Sequence, residues 1–168
     1  DALSAAEVQA WNATQMGALA AKQLGGLTLE ALEDFSTTQL GALATAQVQG
    51  LTATQLNGLS APGLNALAIA SLSTAQIKGL DATAAANLSP TQAQALTATQ
   101  IKALTTTGLD ALSATELQGW NPTQIGALGA TQLAGLMATA LGDFSTTQLA
   151  SLTTTQVQGL TATQLNGM

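Results

Sequence analysis

Apolar and polar residues follow one another along this chain in a repeating unit of eight residues, called an octad below. Position 1 is an apolar anchor, position 2 is usually Ser or Thr, position 5 is usually Gln, and position 6 is mostly Leu, Ile or Val. The pattern is plain in residues 152–159, Leu-Thr-Thr-Thr-Gln-Val-Gln-Gly. Such an array predicts small structural units that each contact their neighbours. The anchors are Leu3, Trp11, Leu19, Leu27, Phe35, Leu43, Leu51, Leu59, Leu67, Leu72, Leu80, Leu88, Leu96, Leu104, Leu112, Trp120, Leu128, Leu136, Phe144, Leu152, Leu160 and Met168.

Each octad carries the signals that begin and end a short helix. Thr153 and Gln156 have the spacing of a capping box, in which each side chain accepts a hydrogen bond from the backbone N–H of the other residue. Leu152 and Val157 have the spacing of a hydrophobic staple around that cap. Gly159 then stands where a residue in the left-handed conformation would end the helix. The octad therefore predicts one helix that begins at position 2 and ends near position 8.

Two other secondary structures are weaker explanations of the same pattern. In one continuous helix, eight residues at about 100° each overshoot two turns by about 80°, so the anchors would wind around the helix. A β-solenoid remains the alternative, but anchor spacings of five and three would place successive apolar residues on opposite faces of a strand. Pro90 and Pro122 also occupy the first helical position, where a missing N–H costs little. We predict an all-α solenoid of short capped helices, stacked through positions 1 and 6, with residues 1–168 as one domain.

Two irregularities interrupt the octads. Residues 67–71 form a unit of only five residues, for which we expect a local corner, because five residues cannot hold a helical turn with both caps. Ala85 and Ala93 replace larger residues at position 6, which predicts either mobility or closer packing around residues 81–94.

A longer repeat is superimposed on the octads. Residues 1–59 recur as residues 110–168, an offset of 109 residues that equals thirteen octads plus the five-residue unit (13 × 8 + 5). Trp11 thereby corresponds to Trp120, and Phe35 corresponds to Phe144. We expect the chain to be an excerpt of a longer protein, with a first unit at 1–109 and a partial second unit at 110–168.

Composition excludes several classes of partner. Charged residues make up 7% of the chain, against about 25% in ordinary soluble domains, and the net charge is -6. The only basic residues are Lys22, Lys78 and Lys102, so no basic patch exists for nucleic acid or anionic membrane. No run approaches the roughly 20 apolar residues that span a bilayer. We therefore expect neither nucleic-acid binding nor membrane insertion.

The residues that usually carry catalysis are missing. The chain has no His and no Cys, and its many Ser and Thr residues are explained by their regular places at helix caps. We expect no catalytic, metal-binding or cofactor-binding residues, and we do not expect an enzyme.

Two groups of residues could bind a ligand as an alternative to a purely structural role. Glu30, Glu33 and Asp34 could contact a cation such as Ca²⁺, but most of this cluster is not repeated in the second unit, which favours an exposed run of charge. Trp11 and Trp120 could stack on a sugar. Both stand at anchor positions, which favours a place in the core.

The octads resemble those of a known group of bacterial proteins. Residues 51–58 (Leu-Thr-Ala-Thr-Gln-Leu-Asn-Gly) and 152–159 are similar to the Leu-Thr-x-x-Gln-Val/Ile/Leu repeats of very large secreted or surface-attached proteins, described as adhesin-like or haem-utilisation proteins. The resemblance implies an extracellular or cell-surface location and an extended, non-enzymatic role. It does not extend to haem, because the axial ligands His, Cys and Tyr are missing and only Met16, Met137 and Met168 remain.

Two functions are consistent with these observations. The first is a structural segment of a fibre, stalk or sheath, which associates with itself through its ends or continues into further repeats of the same chain. The second is a binding module in which ranks of Thr present hydroxyl groups to a repetitive surface such as polysaccharide or ice. A helical first turn would curve these hydroxyls, which disfavours a flat lattice. The Thr residues at position 4 include Thr91, Thr99, Thr107, Thr115, Thr123 and Thr131.

Overall fold

The structure is a computed structural model that describes residues 4–167, and within that range it contains helices and turns but no strand. The all-α prediction is confirmed, with twenty α-helices of five or six residues and one 3-10 turn. The helices are α1 Ala5–Gln9, α2 Ala13–Gly17, α3 Ala21–Gly25, α4 Leu29–Glu33, α5 Thr37–Gly41, α6 Thr45–Gly50, α7 Ala53–Gly58, α8 Ala61–Ala66, the 3-10 turn η1 Ile69–Ser71, α9 Thr74–Lys78, α10 Ala82–Ala86, α11 Pro90–Ala95, α12 Ala98–Ala103, α13 Thr106–Asp110, α14 Ala114–Gln118, α15 Pro122–Ala127, α16 Ala130–Gly135, α17 Ala138–Gly142, α18 Thr146–Ala150, α19 Thr154–Gln158 and α20 Ala162–Asn166.

Most helices begin as the capping pattern predicts, although α17, with Met137 at position 2 and Ala140 at position 5, has neither half of the capping box. At α12, Thr97 is extended (φ -72°, ψ 158°) and its hydroxyl accepts a hydrogen bond from the backbone N–H of Gln100 at 3.2 Å. Gln100 Oε1 accepts in return from the backbone N–H of Thr97 at 2.9 Å. Where position 2 is Ala or Gly, the glutamine half of the box remains, as between the N–H of Ala44 and Gln47 Oε1 at 2.9 Å. The octad sequence thus sets the helix start through contacts only three residues apart.

The predicted left-handed glycine at the end of each helix is wrong. Gly159 is right-handed helical (φ -77°, ψ -16°), and no residue between 4 and 167 has a positive φ. The chain leaves the helix by becoming extended at the next anchor, as at Leu51 (φ -67°, ψ 139°), and stays extended at position 2. Two consecutive extended residues connect one helix to the next, and no left-handed residue is needed.

The helices stack into a solenoid. Most helix pairs with substantial contact are separated by two intervening units, as in α3 with α6, α9 with α12, and α12 with α15, whereas α7 and α10 are separated by three, one of which is the five-residue unit. Hydrogen bonds between adjacent coils join residues that are 22 to 31 positions apart. One coil therefore contains between three and four octads, and each coil contacts only the coils before and after it.

The solenoid core consists of positions 1 and 6, as predicted. The position-6 residues Leu24, Leu56 and Leu64 are fully buried, and the anchors between residues 35 and 144 are at most 6% exposed. At the first and last coils, the anchors become partly exposed because no further coil covers them; these anchors are Trp11, Leu19, Leu27, Leu152 and Leu160. Met168, the last predicted anchor, and Leu3, the first, lie outside the described residues.

The five-residue unit takes the place of one octad. Its 3-10 turn, η1, contacts α6 below it and α11 above it, which are the neighbours that a full helix would have. Ile69 is 2% exposed and fills the position-6 site, and its carbonyl accepts from Gln100 Nε2 at 2.9 Å. The five-residue unit therefore replaces an octad by a tighter turn, and the stacking of units above and below it continues across residues 67–71.

Candidate functional site

The glutamine at position 5 is the residue that joins one coil to the next. Gln100 is only 3% exposed, and its Nε2 donates to the carbonyls of Ile69 and Leu72 in the preceding coil, both at 2.9 Å. The same side chain uses Oε1 to cap its own helix. One amide therefore satisfies backbone groups of two coils at once. Eleven glutamines make such inter-coil bonds: Gln39, Gln47, Gln55, Gln76, Gln92, Gln100, Gln124, Gln132, Gln148, Gln156 and Gln164.

The octad pattern suggests that the glutamines could also form a ladder of side-chain amides between neighbouring octads, but their acceptors are backbone carbonyls of the preceding coil, which the capping box does not predict. The signal that could have revealed this second role is the preference for Gln over Glu. A carboxylate would cap position 2 equally well and would suit the positive end of a helix better. Only an amide has N–H groups to donate across to another coil.

Glu116 is the buried exception to that preference. It stands at position 5, is 4% exposed, and its Oε2 accepts from the backbone N–H of Ser113 at 2.6 Å. It caps its helix but has no N–H for the carbonyls of Ala85 and Leu88, which are 31 and 28 residues earlier, the offsets at which other glutamines donate. Its counterpart in the first unit is Glu7, where the Ser4 backbone N–H and hydroxyl donate to Oε2 and hold the pKa of Glu7 below its ordinary value.

Position 7 supplies a second set of bonds, directed towards the following coil. Asn57 is representative: its Nδ2 donates to the Gly79 carbonyl at 2.9 Å, and its Oδ1 accepts from the Asp81 N–H at 3.1 Å. The acidic cluster contributes here, because Glu33 accepts from the backbone N–H of Ser60. Glu30, by contrast, is exposed, and Asp34 accepts from Gln9 through its backbone carbonyl. The three acidic residues are thus placed as separate surface and inter-coil groups.

Glycine at position 8 allows adjacent coils to approach closely. A Cβ at Gly50 would overlap the backbone of Ala21, and a Cβ at Gly25, a position-7 glycine, would overlap the Gly50 carbonyl, so α3 and α6 are in backbone contact there. Further along, a Cβ at Gly79 would lie 2.8 Å from Ala53 Cβ. The glycine that was expected to end the helix instead serves the packing between coils.

The two ends of the solenoid are open and chemically complementary. The N-terminal face is defined as Val8, Trp11, Gln15, Leu19 and Gln23; most of these residues line an apolar cavity of about 260 Å³. Within residues 4–167, the Nε2 atoms of Gln15 and Gln23 donate to no other coil.

The opposite C-terminal face is defined as Leu152, Val157, Leu160 and Leu165. Val157 is 46% exposed and Leu165 is 53% exposed. In the described chain, the carbonyls of Val157 and Leu160 accept from no glutamine of a following coil. Their counterparts in the first unit, Val48 and Leu51, accept from Gln76 Nε2 at 2.8 Å and 2.7 Å.

The position-4 threonines form exposed ranks along the side of the solenoid. One rank runs over helices α10, α13, α16 and α19, in which each helix contacts the next. Its members are Thr83, Thr107, Thr131 and Thr155, all exposed. These hydroxyls cap no helix, so they remain available to solvent or a ligand.

Within the described part of the chain, no group of three or more His, Cys, Asp or Glu side chains is close enough to hold a metal ion. The helices are also all too short and too polar to cross a bilayer. No protein-family model and no curated protein matches the chain.

Proposed function

We propose that the chain is a segment of an extracellular or cell-surface fibre, stalk or sheath whose coils stack end to end. The observation that carries the proposal is the glutamine bond between coils. It recurs along the solenoid with equivalent acceptors at every glutamine except Gln124, and within residues 4–167 its donors and acceptors are left open at opposite ends. A stack with this property extends in one direction without closing, which is the geometry of a filament.

The surface is suited to the same role. The side of the solenoid carries mainly Thr, Ala, Gln and Gly, and only 7% of the chain is charged. Repulsion between neighbouring fibres is therefore weak over the usual screening distance. We propose accordingly that the protein acts as a structural material and not as an enzyme, and that it uses no cofactor.

Electron microscopy of the protein isolated from its source tests this function. Thin fibres or sheets with a regular repeat are the expected result. A monodisperse compact particle, encoded by a gene without further octads, would contradict the fibre proposal and leave the binding module as the better explanation.

The exposed threonine rank favours that second candidate. Four exposed hydroxyls on stacked helices form a polar stripe that could contact a polysaccharide or ice. Replacing Thr107 and Thr131 by Ala should remove retention on a polysaccharide column or thermal hysteresis in ice, with little effect on the thermal midpoint. Unchanged binding in that double variant would show that the rank is not the contact surface.

A further inference from the structure

The N-terminal face has a covered counterpart within the same chain. Because residues 1–59 recur as 110–168, Trp11 and Gln15 correspond to Trp120 and Gln124. Trp11 lies partly exposed beside Phe35, with ring centroids 6.4 Å apart, whereas Trp120 is 3% exposed. The segment that covers Trp120, residues 93–104, therefore shows what kind of segment fits over Trp11.

Trp120 changes the pattern of bonds between coils. Its indole Nε1 donates to the carbonyl of Ala93 at 2.9 Å. That carbonyl lies 31 residues before Gln124. Most of the other inter-coil glutamines donate to the carbonyl at this offset. Gln124 Nε2 donates instead to the carbonyls of Gln94 and Leu96, at 2.9 Å and 2.8 Å. The junction thus has three N–H donors and three carbonyl acceptors, whereas the other glutamine junctions have two of each.

The residue whose carbonyl accepts from the indole has a small side chain at position 6. Ala93 is fully buried, and its methyl group is close to the carbonyl that the indole contacts. Along the whole sequence, Ala occurs at position 6 only at Ala85 and Ala93. A leucine at residue 93 would add three carbon atoms beside the indole, and overpacking of that kind is destabilising. Around residues 81–94, where the sequence predicts either mobility or closer packing, Ala84, Ala85 and Ala93 are all buried.

We infer that the N-terminal face is a binding site for one kind of coil, an octad coil with alanine at position 6 opposite Trp11. This inference rests on the proposed function and specifies its junction. The occupant is a preceding copy of residues 93–104. It belongs to the same chain and comes from one more 109-residue repeat ahead of Asp1. A second copy of the chain cannot supply this segment, because its own residues 93–104 are already covered by the coils on both sides. The last coil of a second copy presents Leu149 and Val157 at position 6, where the inference requires alanine.

The test uses a chain in which a copy of residues 72–109 is fused ahead of Asp1, which recreates the sequence of the internal junction. Hydrogen exchange of the two indole N–H groups is followed by NMR, with the signals assigned through Trp11→Phe. In the unextended chain, the Trp11 N–H should exchange much faster than that of Trp120. In the extended chain, both should be protected to the same degree.

Two controls make the result specific. Ala93→Leu in the added copy alone should restore fast exchange at Trp11 while Trp120 stays protected. Equal protection of Trp11 with and without that substitution would overturn the role of alanine. Protection of Trp11 in the unextended chain as its concentration rises would make a second copy the occupant and would also overturn the inference. All three outcomes are independent of whether the native material forms fibres, so failure here is distinguishable from failure of the proposed function.

Discussion

At the scale of the residue, glutamine at position 5 carries most of the specificity of this fold. Its two amide atoms do different work, since Oε1 stabilises the helix start and Nε2 satisfies carbonyls of the preceding coil. A buried carbonyl that loses its partner costs about 1–3 kcal/mol. The capping role alone is worth about 0.5–2 kcal/mol. The inter-coil role should therefore be the larger part.

The first prediction compares two glutamines that differ only in the second role. Gln100→Ala removes a cap and leaves the carbonyls of Ile69 and Leu72 unpaired, so it should lower the free energy of unfolding by about 3–6 kcal/mol. Gln15→Ala removes a cap in the first coil, where no carbonyl lies below, and should cost about 1 kcal/mol. Urea denaturation of both variants measures the difference. Equal losses would mean that the inter-coil bonds add nothing.

The second prediction concerns the natural exception. Glu116→Gln keeps the cap on Ser113 and supplies the N–H groups that Glu lacks, so at neutral pH it should raise the free energy of unfolding by about 1–3 kcal/mol. The matched control is Gln156→Glu, which makes the reverse change at a position that donates to Ile125 and Leu128 and should lower stability. A Glu116→Gln variant that is less stable than the parent would refute the assignment.

At the scale of the element, one octad determines a helix, and glycine at position 8 determines how closely two helices approach. The capping box, the N-cap conformation and the helix length follow from contacts three residues apart, which explains why the sequence predicts them. The prediction of a left-handed helix end is wrong because a glycine can serve either of two purposes, conformational freedom or close packing. The sequence pattern of one octad does not distinguish between them.

The third prediction separates those two purposes. Gly50→Ala would force apart the backbones of α3 and α6, so it should lower stability by about 1–3 kcal/mol. Gly126, a helical glycine in α15, has open space around its Cβ position. Gly126→Ala should therefore raise stability by about 0.5–1 kcal/mol, the usual gain from replacing glycine within a helix. Thermal unfolding of the two variants checks the opposite signs, and destabilisation by both would contradict the packing role.

The contacts between coils were beyond the reach of the octad pattern. Gln100 and its acceptors are 28 and 31 residues apart, and the sequence of one octad does not determine how many octads complete a coil. The same limit applies to the five-residue unit. Its shortened sequence predicts a corner, but only the stack shows that Ile69 fills a position-6 site between α6 and α11. Trp120 and Ala93 are similarly linked across 27 residues, so the reason for the alanines became visible only in the fold.

At the scale of the whole molecule, the solenoid is a linear structure. Substantial contacts join units three or four apart, and within residues 4–167 no hydrogen bond spans more than 31 residues, so nothing folds distant coils back on one another. In such an array, stability is the sum of local terms and length is proportional to residue number. The central claim is that added repeats lengthen this protein without thickening it.

Small-angle X-ray scattering of chains with one, two and three 109-residue units tests that claim most directly. A unit contains about four coils, and packed helices lie about 8–10 Å apart, so each added unit should lengthen the maximum dimension by about 30–40 Å. The cross-sectional radius of gyration should stay constant through the series. A compact protein would instead grow in all directions, with a radius of gyration that rises as about the 0.38 power of residue number. Growth of the cross-section with added units would contradict the linear solenoid and the fibre that it is proposed to build.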